Sequence, residues 1–137
     1  MIVMEEIVEA FDSAETVSVY NDGDKTVYSS GEEEYAKILA CWNEMIDGAH
    51  DMPAFGVSLD NYTRQEMKQG LWVEFDFGKV LECNGMPFEK LLISVKKSFQ
   101  GFNLIRYNAD CGYDGRCFYL DLVGKNMDNL YNLLLNL

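Results

Sequence analysis

The chain predicts an α+β fold, an antiparallel sheet with helices packed on it, and three observations carry that expectation. The residues are 48% hydrophobic over 137 positions, enough to bury one core in one domain spanning 1–137. From residue 71 onward the hydrophobic period is two, with short glycine-containing links, which predicts a meander of about four strands. Two other stretches, near residues 30–48 and 126–137, carry apolar stripes at helical spacing.

Residues 2–12 predict a short amphipathic helix. Val3, Ile7 and Phe11 recur at helical spacing, with Glu5, Glu6, Glu9 and Asp12 on other faces. Thr16–Tyr20 and Lys25–Ser29 are rich in β-branched residues and tyrosine and predict an N-terminal hairpin. Asp22-Gly23 supplies its turn, because glycine accepts the positive φ of a tight reversal. An EF-hand loop fits poorly here. With Gly23 at position 6, Ser18 falls at position 1, Tyr20 at 3 and Ser29 at 12, so Asp22 alone is a suitable ligand.

Ser30 followed by Glu33 predicts a capping box, and Glu32, Glu33 and Glu34 suit the positive end of the helix dipole. Tyr35, Ile38, Leu39, Trp42, Met45 and Ile46 form the apolar stripe, and Gly48 stops the helix. Residues 54–59 read as a short strand and 61–68 as a short helix ended by Gly70.

In LWVEFDF, Leu71, Val73, Phe75 and Phe77 share one face, while Trp72, Glu74 and Asp76 share the other. Residues 79–83 predict a second strand, Asn84-Gly85 a turn, and 91–96, 102–107 and 116–122 further strands. Asn126 caps a last helix through Leu137, whose Met127, Leu130, Tyr131 and Leu134 cover one face of the meander.

Charge narrows the function classes. The net charge is −12, with 15 acids and 4 bases in residues 1–70 against 8 and 7 in residues 71–137. Such a chain repels phosphate backbones and anionic lipid, so neither direct nucleic-acid binding nor membrane association is expected. No apolar run nears the roughly 18 residues of a membrane span, and a cytoplasmic location is expected. Four irregularly spaced cysteines and a single His50 do not form a zinc pattern, and no phosphate-binding or nucleophile-elbow motif occurs, so no metal, cofactor or catalytic residue is assigned. Cys111 and Cys117 flank GYDGR and are candidates to face each other across a turn.

The function expected is a small acidic, non-enzymatic protein-binding module. It would mask a basic, nucleic-acid-binding surface of a partner, as an inhibitor or immunity protein does. Its candidate contact residues are Asp22, Asp24, Glu32, Glu33 and Glu34, with Tyr20, Tyr28 and Trp72 as aromatic anchors. Two alternatives stand beside it. One is a structural or regulatory homodimer formed through the last helix and the aromatic strands. The other is an enzyme using Glu74 and Asp76, two carboxylates about 7 Å apart on one strand face.

Overall fold

A computed structural model describes residues 1–53 and 56–137. The fold is α+β. The strands are β1 (Ile2–Met4), β2 (Thr16–Asn21), β3 (Asp24–Ser29), β4 (His50–Met52), β5 (Val57–Ser58), β6 (Leu71–Cys83), β7 (Met86–Val95), β8 (Gly101–Tyr107), β9 (Gly115–Arg116) and β10 (Phe118–Asp121). The helices are α1 (Glu33–Ile46), α2 (Asp60–Glu66) and α3 (Asp128–Leu135). The large sheet runs β3-β2-β6-β7-β8-β10-β4, with β1 alongside the end of β6, and β5 pairs separately with β9. The hairpin β2–β3 and the meander β6–β7–β8–β10 are antiparallel, as the sequence predicts.

The β2–β3 hairpin closes on two residues. Asp22 and Gly23 both have positive φ, 49° and 90°, the pairing a tight right-twisting turn requires. Asp22 also holds the start of β6: its amide donates to the Gly70 carbonyl and its carboxylate accepts from the Gly70 amide at 2.8 Å.

The N-terminal segment corrects the expected helix over 2–12. Ile2–Met4 pairs in parallel with Leu81–Cys83, and two 3₁₀ turns follow at Ile7–Glu9 and Phe11–Ser13. The turns bury Ile7 and Phe11 completely, whereas Val3 stays 69% exposed. Pairing β-branched residues with the far end of a long strand wins over one short, solvated helix.

Residues 71–77 and 79–83 are likewise one strand, not two. Its register with β7 shifts between Asp76 and Leu81, so the break in the alternating pattern is a bulge. Helix α1 follows the predicted stripe, but its N-cap is Glu32, without a side-chain cap bond. The Ser30–Glu33 capping box is replaced by its half-image one residue earlier, with the Glu32 carboxylate accepting from the Ser29 amide. The last helix runs Asp128–Leu135 rather than to Leu137, and its N-cap is Met127, not Asn126, whose Oδ1 accepts from the Asp128 amide at 3.0 Å from one residue earlier. The strand expected over 54–59 lies partly outside the described residues, and β5 occupies its end.

The sheet has two unlike faces. On one, α1, α3 and the 3₁₀ turns enclose the main core, where Phe11, Trp42 and Phe75 meet with centroids 4.8–4.9 Å apart. On the other, α2 and the segment 108–116 cover only part of the surface, around Met67, Trp72, Leu92 and Tyr113. Among the described residues, no helix is long and apolar enough to cross a membrane.

Candidate functional sites on the two faces

Strand alternation places Trp72, Glu74 and Asp76 together on the partly covered face, as expected, but gives them three different surroundings. Glu74 is 2% exposed. Its Oε2 accepts from the Tyr113 hydroxyl at 2.5 Å and its Oε1 from the Tyr20 hydroxyl at 3.3 Å. Burial raises its pKa above the ordinary carboxyl value, opposed by the Tyr113 hydroxyl, by Lys90 and Lys25, and by Tyr20. Both tyrosines are in turn held strongly protonated, by burial first and by Glu74 second.

Tyr113 reaches Glu74 because the segment 108–116 is strapped across the sheet. The Asp60 carboxylate accepts from the Tyr113 amide at 2.9 Å, Asp114 accepts from the Asp60 amide at 3.0 Å, and the Ser58 hydroxyl donates to the Tyr113 carbonyl. The Asp60 pKa is lowered, chiefly by that Tyr113 amide and also by Arg64. Cations sit over the ring faces: Arg64 over Tyr113, Lys90 over Tyr107 and Lys25 over Tyr20, at 5.2, 4.7 and 5.6 Å.

Asp76, by contrast, is half-exposed. It accepts from the Gly78 amide at 2.9 Å and lies 3.9 Å from the Lys90 ammonium.

Trp72 is 8% exposed, and its indole N–H donates to the Gln69 carbonyl. It forms part of the floor of a groove of about 1040 Å³ that continues past Ser94, Asn103, Ile105 and Tyr119. Tyr62 and Glu66 of α2 wall it on one side, and Lys96, Lys97 and Phe99 of the β7–β8 turn on another.

The candidate partner-contact residues fall into separate places. Asp22 and Asp24 are at the hairpin tip, and Asp22 is engaged with Gly70. Glu32, Glu33 and Glu34 begin α1 at the other end of β3, so five strand steps, about 17 Å, separate the two groups. Glu33 pairs with Lys37 at 3.1 Å. Tyr20 is half-buried in the Glu74 box, and Tyr28 is half-buried against the main core.

A different set of acids is brought together on the helical side. Asp12 of the second 3₁₀ turn accepts from the Asn43 amide of α1 at 2.8 Å. Asp51 of β4 is raised in pKa by burial and by Glu6, and pulled down by the Ile7 amide. The buried Cys83 thiol is pushed up to about 11 by burial and by the charges of Asp51, Glu9 and Glu6. Three carboxylates from β4 and the first 3₁₀ turn therefore share one neighbourhood. The sequence placed Glu6 and Glu9 on a helix, and gave no signal that β4 would approach them.

All four cysteines are free, with Cys111 exposed and Cys117 buried. Among the described residues no group of three or more His, Cys, Asp or Glu side chains is arranged to hold a metal ion. No family model, curated protein or solved structure matches the chain.

Proposed function

We propose that the protein is a non-enzymatic binding module that docks a basic protein surface through the acidic helical side of the fold. The reading is supported by the Asp51 carboxylate of β4, which lies against the Ile7 amide of the turn that carries Glu6 and Glu9. Asp12, beside Asn43 of α1, adds to it, whereas the end of α1 near Glu44 and Asp47 is met by the Lys125 ammonium. A partner with lysine and arginine arrayed for phosphate would meet such a surface with steered, salt-sensitive association. The hairpin-tip aspartates and the glutamates at the α1 start flank β3 rather than forming one contact patch. In this reading they contribute long-range field instead of central contacts.

The alternative enzymatic use of Glu74 with Asp76 has weaker support. Both Glu74 oxygens already accept tyrosine hydroxyls, and Asp76 stands beside a bulge amide and a lysine. A homodimer through α3 has Leu135 and Leu137 in its favour, exposed by 45% and 40%.

The test is affinity capture with the full chain, followed by association kinetics with each captured protein. The on-rate is expected to fall about tenfold or more between low and physiological salt. The triple variant Glu6→Lys, Glu9→Lys, Asp51→Lys should abolish that salt dependence, while Asp22→Asn and Asp24→Asn should change it little. Binding indifferent both to salt and to the triple reversal overturns the reading.

A further inference from the structure

The groove on the partly covered face lies over the middle of the sheet. β6, β7, β8 and β10 are consecutive neighbours beneath it, so its floor offers side chains rather than a strand edge. Alternation decides which ones. Trp72 of β6 stands opposite Ser94 of β7, and Asn103 of β8 stands opposite Tyr119 of β10. The β7–β8 register, set by Leu92 against Ile105, brings Ser94 alongside Asn103. The four side chains form a row across the strands, with an aromatic ring at each end and two hydrogen-bonding groups between. Three strand spacings make that row roughly 14 Å long.

The parts of the row are set out for contact with something else. The Tyr119 ring tip lies over Gly101, where any Cβ would collide with its hydroxyl, so the ring leans along the floor. Tyr62 on the α2 wall is 65% exposed and adds a further ring above the floor. Among the described residues, the side chains of Ser94 and Asn103 have no hydrogen-bond partner. The exposed amide side chains of Gln69 and Gln100 stand at the rim.

Charge and polarity limit what can lie there. Two cations and two anions line the groove, Lys96 and Lys97 against Glu66 and Asp121, so an ion of either sign meets a like charge. The ammoniums are already placed over rings, Lys96 over Phe99 at 5.5 Å and Lys97 over Tyr131 at 5.3 Å. A purely apolar ligand would cover Ser94 and Asn103 and leave their polar groups unpaired. The row is satisfied by a neutral molecule long enough to span it, with apolar faces for the rings and many groups that both donate and accept. A carbohydrate chain has these properties. The C–H faces of its rings pack on aromatic planes, and its hydroxyls match an amide and a serine hydroxyl that each donate and accept.

We propose that this groove binds an uncharged oligosaccharide lying across the strands from Trp72 to Tyr119. Ser94 and Asn103 bond the hydroxyls of its central unit, and Trp72, Tyr119 and Tyr62 pack against the ring faces on either side. The site is on the opposite side of the sheet from the acidic helical surface and is independent of it.

The experiment screens the full chain against free neutral oligosaccharides, from monosaccharide to hexasaccharide, with uronic-acid and sulfated chains, a fatty acid, an apolar peptide and a nucleoside alongside. Binding is read from the indole N–H resonances of the two tryptophans. A neutral chain should shift the Trp72 resonance and leave that of Trp42, buried on the other face, in place. A trisaccharide should bind about tenfold more tightly than its monosaccharide. Asn103→Ala and Tyr62→Ala, both at exposed positions, should each weaken it about fivefold or more. A glycoprotein carrying the same chain should bind with the affinity of the free sugar. The proposal is overturned by a Trp72 resonance that no oligosaccharide moves, or that only the fatty acid, peptide or nucleoside moves. Preference for the anionic chains, binding that needs the protein part of the glycoprotein, or unchanged affinity in both variants overturns it equally. Since Glu6, Glu9 and Asp51 stay untouched throughout, failure here leaves the acidic docking surface standing.

Discussion

The two faces of the sheet use aromatic residues in different ways. The helical face packs Phe11, Trp42, Phe75 and Phe102, and further along Phe77, Phe88 and Phe118, in edge-to-face and tilted contacts within the main core. The other face uses Tyr20, Tyr107, Tyr113 and Trp72, each with a polar end bonded or a cation over its ring. A phenylalanine core can be sealed because it has little to hydrogen-bond. A tyrosine surface can bury a carboxylate, because its hydroxyls replace the water that Glu74 loses. The first face fixes the fold, and the second leaves a cleft.

Mutation should separate these roles most sharply at Phe75, which is fully buried among Phe11 and Trp42. Phe75→Ala should cost about 3–5 kcal/mol in denaturant unfolding, whereas Ile105→Ala on the cleft floor should cost about 1 kcal/mol. Equal losses at the two positions would erase the contrast.

Next in size is Glu74→Ala. It strands the Tyr113 and Tyr20 hydroxyls on a covered surface and should cost about 2 kcal/mol. It should also speed hydrogen exchange at Tyr113, because the strap loses its anchor on the sheet.

The pH dependence of the same group is smaller and has a definite sign. A carboxyl whose folded pKa is raised holds its proton longer in the folded than in the unfolded chain. Glu74 therefore favours folding most at acid pH, and that contribution is lost as pH rises from the ordinary carboxyl range through the raised value. Glu74→Gln keeps a hydrogen-bonding group but does not titrate, so its stability relative to the unmodified protein should rise with pH over that interval. Parallel pH profiles for the two proteins would show that the tyrosine hydroxyls fully offset burial.

The smallest effect is expected at Lys90→Met. The Asp76 pair it breaks is 3.9 Å long and part-exposed, worth at most about 0.5 kcal/mol. A larger loss would mean that Lys90 matters through Tyr107 and Glu74 rather than through Asp76.

Much of this fold was legible in the sequence where local chemistry decides it. The Asp22-Gly23 turn, the α1 stripe and the β6 alternation all depend on residues within a few positions of one another. The N-terminal strand was hidden, because Ile2–Met4 is a strand only through Leu81–Cys83, nearly eighty residues away. The bulge in β6 resembled a strand end for the same reason: its continuity lies in the pairing with β7. At the site, alternation put Glu74 on the right face but could not show its burial, since the cover comes from Tyr113 on a distant strap. Nor could composition reveal the groove beside Trp72, since its lining comes together from β6, α2 and β10 through Trp72, Tyr62 and Tyr119.

The hairpin tip clamped at Gly70 has a consequence for assembly between molecules. It presents β3 as the outermost strand, six residues long, with Val27 48% exposed and one row of amides and carbonyls facing solvent. Strong mutual repulsion between anionic copies keeps such a margin from recruiting another sheet. That protection vanishes near pH 4.3, where the chain is isoelectric. Turbidity on acidification should therefore begin at the β3 margin, and Val27→Pro, which removes an amide that the β2–β3 register leaves facing outward, should delay it.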